Sequence, residues 1–406
     1  MTSPAPAPIV YLWDAEYPWD VRTEKVCRSL AAAGHEVHLV ARNRSRATAS
    51  ERLPEGTVHR LSPLPWLPAR VDGLLQFPAF FNPRWAGLTR RVLRESRARL
   101  LIVRDLPLAP LALRVAAPLG IPVLFDMAED YPALLQTTWD AGRHGALDYL
   151  VRNPRLAAGI ERGVLPRMSH TMVVVEESRD RLVAAGVPPA RVSVVSNTPP
   201  LSRLSATPPG SRPAGQPVEA VYLGIVELPR GIGRLVEAAA LLHAARVPVR
   251  LTVIGGGRDL ALVQEQAAAR GLPPERLAFT GQLPHEAALA RVAAADIGLV
   301  PHLRNPWMET TIPNKLFDFM AAGLPVVTSD AAPLARVVRE AGCGLLAADA
   351  APQALASAIG TLAVDPALRA RMAAAGREAI RTRYHWEADE RVLRELVRRL
   401  ASEEAP

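Results

Sequence analysis

Short apolar runs alternate with amphipathic stretches along almost the whole 406-residue chain. In the first half, residues 9–13, 37–41, 100–103, 122–125, 171–175 and 192–195 are apolar runs of strand length. Such runs predict strands buried on both faces. Residues 21–33 and 86–99 carry helical spacing between them. Residues 197–217 are dense in Pro, Ser and Thr, with Gly210 and Gly215, and read as a linker. A second series follows, with strands near 220–223, 249–254, 277–280, 297–300, 326–328 and 344–346, and a charged amphipathic helix over 384–400. Regular strand–helix alternation predicts an α/β fold with parallel sheets. A chain of this length divides into two domains of roughly 200 residues. The expected architecture is two Rossmann-like domains facing a cleft: residues 1–200, residues 201–383, and a C-terminal helix over 384–406 crossing back to the first domain.

Hydrophobic residues make up 49% of the chain, ample for two packed cores. The two cysteines, Cys27 and Cys343, fall in helix-like and strand-like patterns far apart in sequence. They are expected as buried thiols rather than as a disulfide or metal ligands. No stretch reaches 18 uninterrupted apolar residues, and the opening MTSPAPAPIVYLW lacks the basic start and apolar run of a signal peptide. A cytoplasmic protein is expected. The net charge of +8 is uneven: residues 1–200 hold 25 Lys+Arg against 19 Asp+Glu (+6), and residues 201–406 hold 23 against 21 (+2). A basic half suits anionic lipid or a phosphorylated substrate; no nucleic-acid motif accompanies it, and no nucleic-acid partner is expected.

The densest chemistry lies in residues 311–330, TIPNKLFDFMAAGLPVVTSD. Pro313 suits the first position of a helix, Phe317, Met320 and Ala321 mark an apolar face, and Gly323 stops it. Lys315 then falls in the first helical turn, where the positive end of the helix dipole disfavours a cation unless an anion is bound. Among 48 basic residues only Lys25 and Lys315 are lysines. A lysine kept in so arginine-rich a chain suggests a need for a compact ammonium; a solvated surface lysine is the plain alternative. Residues 222–235 run from strand into helix with Arg230, Gly231 and Gly233 at the entry, a second cation at a helix start beside glycines that admit a ligand. Both places follow strand carboxyl ends, where open α/β sheets bind ligands, and together they suggest a diphosphate clamp. Gly255, Gly256 and Gly257 form a third strand-end loop, and Gly281 leaves backbone open for a base to stack on.

Residues 222–238, 255–257, 279–281, 295–301 and 313–329 resemble, in order and spacing, the donor domain of retaining GT-B glycosyltransferases of family 4. The first half is similar through Asp20-Val-Arg22, Ala33-Gly-His-Glu-Val37, Val103-Arg-Asp105, Phe125-Asp126-Met-Ala-Glu129 and Val195-Ser-Asn-Thr198. The resemblance implies that Arg230 and Lys315 hold the donor diphosphate and stabilise the leaving group. Gly224, Gly231, Gly255, Gly256, Gly281 and Asn314 would line the donor site, and Asp318 would take the place of a glutamate on the ribose hydroxyls. A second family glutamate falls at Thr310, with Glu309 one place before it. Asp20, Arg22, Asp105, Asp126 and Glu129 would belong to the acceptor side. This chain departs from the family's pattern at Ile225 and Val226, where a basic residue is usual, and at Ala128, where a histidine is common.

The implied reaction is transfer of a sugar from a UDP- or GDP-linked donor to an acceptor hydroxyl with retained configuration, in surface polysaccharide or glycoconjugate synthesis. No cofactor is expected. Two cations and two helix N-termini can stabilise the leaving diphosphate without a metal ion, and the chain contains no Asp-x-Asp triplet. Two other readings stay open: a sugar-nucleotide epimerase on the same fold, and a non-catalytic sugar-nucleotide-binding subunit. On the acceptor side, residues 64–99 interleave Trp66, Phe77, Phe80, Phe81 and Trp85 with Arg70, Arg84, Arg90 and Arg91. That mixture suits a lipid-linked acceptor and peripheral contact with anionic membrane at the inner face; a core-covering loop is the alternative.

Overall fold

A computed structural model describes residues 6–18, 20–77, 81–140, 142, 149, 152–204 and 216–402. Phe80 and most of the 197–217 linker lie outside the described residues. The chain forms two units, residues 1–197 with 389–406, and residues 198–388.

The first unit is built on an eight-stranded sheet. Its strands are β1 (Pro8–Glu16), β2 (Glu36–Arg42), β3 (Ser50–Leu53), β4 (Gly56–Arg60), β5 (Leu100–Arg104), β6 (Val123–Met127), β7 (His170–Val173) and β8 (Val192–Val194), in the order β3-β4-β2-β1-β5-β6-β7-β8. All neighbours are parallel except β3 and β4. Val10, Leu12, Leu101, Val103 and Phe125 lie in its core, as both-faced burial of parallel strands requires. The β3–β4 hairpin was not expected from the sequence: its strands are short, and three of the four β3 residues are exposed, so no apolar run marks them. Residues 64–99 are not a single loop either. They contain the helices Ala69–Leu75 and Pro83–Glu95, and Trp85 is fully buried, its indole N–H donating to the Gln76 carbonyl at 3.0 Å.

The second unit carries six parallel strands: β9 (Val218–Leu223), β10 (Val249–Ile254), β11 (Leu277–Gly281), β12 (Ile297–Val300), β13 (Val326–Ser329) and β14 (Gly344–Ala347), in the order β11-β10-β9-β12-β13-β14. Ala220, Tyr222, Leu251, Val253, Leu299 and Val327 are in its core. Cys343 is buried one residue before β14 rather than within a strand, and both cysteines are free thiols. The chain's last helix, Trp386–Ser402, leaves the second unit at residue 388. In the first unit Asp389 accepts the Ser196 amide at 2.9 Å, and Arg399 lies 2.9 Å from the His170 ring. Both sheets are Rossmann-like, and the fold class is α/β with two such units.

Candidate anion-binding site

Along the second sheet the strand order reverses between β9 and β12. Open parallel sheets leave a crevice beyond the strand carboxyl ends at such a reversal. The loops after β9 and β12 and the start of the Lys315–Ala322 helix supply the polar groups there. Gly224, the first residue after β9, has φ of 132°, and a Cβ on it would fall 2.9 Å from Lys315 Nζ. The ammonium therefore lies against bare backbone. It also sits 4.0 Å from the centroid of the Tyr222 ring, a cation–π seat. The Tyr222 hydroxyl, donating to the Ile225 carbonyl at 2.8 Å, fixes that ring.

Lys315 itself is 8% exposed, and Nζ has no hydrogen-bond partner. Burial pulls its pKa well below the ordinary lysine value; Arg230 pushes the same way and Asp318 opposes. The solvated-lysine alternative is therefore wrong for this side chain. Its helix begins at Lys315, two residues later than the start expected at Pro313. The Leu316 amide bonds the Pro313 carbonyl at 3.1 Å, a tightened 3₁₀-type first turn, and the α-helical ladder begins with Asp318 on Asn314.

Arg230 closes the short turn Leu228–Arg230. Gly231 follows in the left-handed region, φ 80°, and a Cβ there would lie 1.7 Å from the Pro301 carbonyl oxygen. Only glycine lets the Ile232–Ala244 helix begin against the end of β12. The Leu303 amide donates to the Pro229 carbonyl at 3.1 Å, tying the two loops together. Arg230 Nε has no hydrogen-bond partner, and Glu227 stands 3.8 Å away. Between the tied residues sits His302, 2% exposed, with neither ring nitrogen bonded. Burial, then Lys315, then Arg230 depress its pKa far below the usual value, so the ring is neutral.

A buried polar group left without a partner costs about 1–3 kcal/mol, and more when charged. Here Lys315 Nζ, Arg230 Nε and both His302 ring nitrogens are left without a hydrogen bond at one strand reversal, with Glu227 at 3.8 Å from Arg230 and Asp318 as the nearby carboxylates. The arrangement has the chemistry to take an anionic ligand.

The other residues expected on the donor side have these surroundings. Asp318 lies 3.6 Å from Arg203. Glu309 pairs with Arg304 at 2.5 Å and accepts the Ala332 amide at 2.9 Å, capping the Ala332–Ala341 helix. Thr310 turns its hydroxyl onto the Trp307 carbonyl at 3.0 Å. Asn314 is exposed at the helix start. Gly255 packs on the Gly224 carbonyl, Gly256 faces Gln282, and Gly281 has open space before it.

The first unit has its own reversal, between β1 and β5. Arg22 and Asp126 meet there at 2.6 Å, both fully buried. Asp126 also accepts the Tyr11 hydroxyl at 2.7 Å, and Arg22 donates to the Val195 carbonyl at 2.9 Å. Asp20 caps the Val21–Ala32 helix through the Thr23 amide and pairs with Arg104. Arg22, Asp126 and Tyr11 answer one another, while Arg104 Nε is left without a hydrogen bond. Asp105 differs. Its φ is 59°, one carboxylate oxygen has no partner, and Arg104 Nε stands 3.4 Å from the other. Burial pushes its pKa up to about 8, with Arg104 opposing and Glu129, Asp14 and Asp126 adding to the rise. Asp105 is thus a protonated carboxyl at neutral pH, held in a backbone conformation that costs of order 1–3 kcal/mol and is found chiefly at functional sites.

Two family models match the chain: Glycosyl transferase 4-like domain over residues 20–198, and Glycosyl transferases group 1 over residues 218–365. The phosphatidyl-myo-inositol mannosyltransferase of Mycobacterium leprae is 33% identical over 167 residues, 41% of this chain and 42% of that protein, so the match spans less than half of that relative's length. The 2-deoxystreptamine glucosyltransferase of Streptomyces kanamyceticus is 28% identical over 389 residues, 91% of this chain and 94% of that one. The crystal structure of Anabaena HepE in complex with UDP-glucose superposes with a TM-score of 0.70 at 14% identity, covering 96% of this chain and 99% of that one. The chain belongs to the group 1 glycosyltransferases, family 4, of GT-B fold.

Proposed function

We propose that this chain is a retaining glycosyltransferase that moves a hexosyl group from a UDP- or GDP-linked donor to an acceptor hydroxyl, in polysaccharide or glycoconjugate synthesis. The observation that carries the reading is the buried Lys315 ammonium without a hydrogen-bond partner, with the half-buried Arg230, answered among the described residues only by Glu227 at 3.8 Å, at the same strand reversal of the second unit. The UDP-glucose complex of the HepE neighbour and the glucosyl and mannosyl transfer in the relatives' names support the same donor class. In the reaction, the bond from the sugar's anomeric carbon to the diphosphate breaks and its electrons leave with the diphosphate. The acceptor oxygen bonds that carbon from the same face, and its proton passes to a diphosphate oxygen. Lys315, Arg230 and the N-terminus of the Ile232–Ala244 helix stabilise the charge that develops, a role that needs no metal ion. On the acceptor side, the neutral Asp105 carboxyl offers both a donor and an acceptor to a hydroxyl. Incubation with each nucleotide sugar, with and without a panel of sugar and lipid-linked acceptors in EDTA, tests this reading. Transfer in EDTA supports it; conversion of the donor alone to its epimer identifies an isomerase instead.

The same proposal places the enzyme at the inner face of the membrane, and one element supports that. The helix Ala69–Leu75 is inside out. Asp72 and Gln76 face inward at 1% and 0% exposure; Asp72 accepts from Arg84 at 2.9 Å, and Gln76 is bonded to the Asn43 backbone. Its apolar side chains face outward, with Leu74 72% exposed beside Trp66 at 74% and Phe81 at 63%. Arg70 is exposed on the same helix, and Arg46 reaches the Leu67 carbonyl at 3.1 Å. Exposed apolar side chains with arginines close by in sequence suit an anionic bilayer. Burying such a side chain contributes about 1.5–3 kcal/mol, so replacing Trp66, Leu74 and Phe81 together by serine is expected to abolish sedimentation with anionic vesicles. Unchanged sedimentation of that variant contradicts the membrane contact. Trp85 and Arg84, the one buried and the other bound to Asp72, take no part in it.

A further inference from the structure

Among the polar groups of the second unit, His302 has no counterpart in the sequence motifs discussed above, and its setting is unusual. It follows β12 directly, at the strand reversal. The residues on either side of it are fixed to the phosphate loop: the Pro301 carbonyl lies against Gly231, and the Leu303 amide bonds the Pro229 carbonyl. The backbone on both sides of the ring is therefore fixed to the loop that carries Arg230. The ring is almost completely buried, yet neither Nδ1 nor Nε2 has a partner. A histidine packed merely as core would normally bond at least one nitrogen.

The two cations facing it come from different elements, Lys315 from the helix after β12 and Arg230 from the loop after β9. Burial first, and then these two cations, depress its pKa and favour the neutral ring. A neutral ring offers one N–H donor and one lone pair. In a crevice that already holds two cations, a third would add repulsion, whereas a neutral donor adds direction alone. We propose that His302 is a donor-binding residue whose ring N–H holds an oxygen of the same sugar diphosphate that Lys315 and Arg230 bind. The inference rests on the donor reading given above and adds to it a residue that orients the diphosphate without contributing charge.

The test is calorimetric titration of the full chain with UDP and with GDP, comparing wild type with His302→Leu, His302→Asn and Lys315→Met, together with thermal unfolding of each. Leucine fills the space without polar atoms, so His302→Leu is expected to unfold no earlier than wild type while losing about tenfold or more in affinity for the nucleotide that binds, the scale of one hydrogen bond to a charged group. Asparagine, which restores a neutral donor, is expected to recover part of that loss. The loss is expected to be the same at pH 6 and pH 8, because a neutral imidazole has no proton to give up in that range. Wild-type affinity in His302→Leu overturns the proposal. So does an affinity loss that tracks a fall in unfolding temperature in both variants with no recovery in His302→Asn, since that marks a packing role. If wild type binds neither nucleotide, the donor reading itself fails. If wild type binds, Lys315→Met does not and His302→Leu does, only the histidine's part is lost.

Discussion

The two sheets place charged residues at equivalent positions, beyond the strand carboxyl ends where the order reverses, and treat them in opposite ways. In the first unit Arg22, Asp126 and Tyr11 form a closed set, and Arg104 answers Asp20. In the second unit Lys315, Arg230 and His302 bring no anion with them beyond Asp318 and the loosely placed Glu227. A buried charge costs heavily unless it is paired. A self-paired cluster is consistent with architecture, while a cationic one with so few anions near it carries a stability cost that a bound anion would offset. Asp105 is the exception in the first unit, a strained and half-answered carboxyl among satisfied neighbours.

Breaking the closed set has the largest expected effect on stability. Arg22→Leu leaves Asp126 buried without its partner, and loss of one member of such a pair costs about 3–5 kcal/mol. Chemical denaturation measures it, and nucleotide affinity, which belongs to the second unit, is expected to stay within a factor of two or so of wild type on the grounds of additivity between distant sites. A loss of affinity matching the loss of stability would erase the contrast between the two clusters.

A smaller effect sharpens the exception. Asp105 has its folded pKa raised to about 8, so above pH 4 the folded state holds a proton that the unfolded chain has released. Its contribution is fully present below the unfolded value near 4 and is lost as pH rises through 8. Asp105→Asn is expected to flatten the fall in stability between pH 5 and 8 while lowering transfer to acceptor. Unfolding curves at several pH values check the first part, and a variant whose slope equals that of wild type would show that Asp105 is an ordinary ionised carboxylate. Smallest of all is Asp318→Ala. With Arg203 at 3.6 Å as a competing partner, loss of the proposed ribose contact is expected to weaken donor binding by about tenfold or less.

How much of this was legible in the sequence follows from what each residue's role depends on. The strands could be read because parallel strands buried on both faces are continuous apolar runs, and Lys315 because a lysine at a helix start contradicts the dipole. The β3–β4 hairpin had no apolar run to betray it. His302 was missed since a single histidine after a strand carries no pattern; its meaning comes from Gly231 lying against Pro301, a contact between segments 70 residues apart. The inside-out helix was half legible. The aromatics and arginines of residues 64–99 marked a surface, but only packing separates Trp66, 74% exposed, from Trp85, fully buried. Arg22 and Asp126 were visible as motif residues, yet their pairing across 104 positions, which makes each the other's partner, is a property of the fold.

In the proposed function Lys315 and Arg230 of the second unit hold a nucleoside diphosphate without a metal. Titration calorimetry of UDP and GDP into the full chain in excess EDTA, for wild type and Lys315→Met, addresses it directly. The expected result is binding of one nucleotide by wild type in EDTA, weakened by roughly 10²–10³ in Lys315→Met, the scale of one charge-stabilising donor, with unfolding of the free variant no earlier than wild type because an unpartnered buried ammonium is gone. Equal affinity in the two proteins, or wild-type binding that appears only when magnesium or manganese is restored, would contradict it.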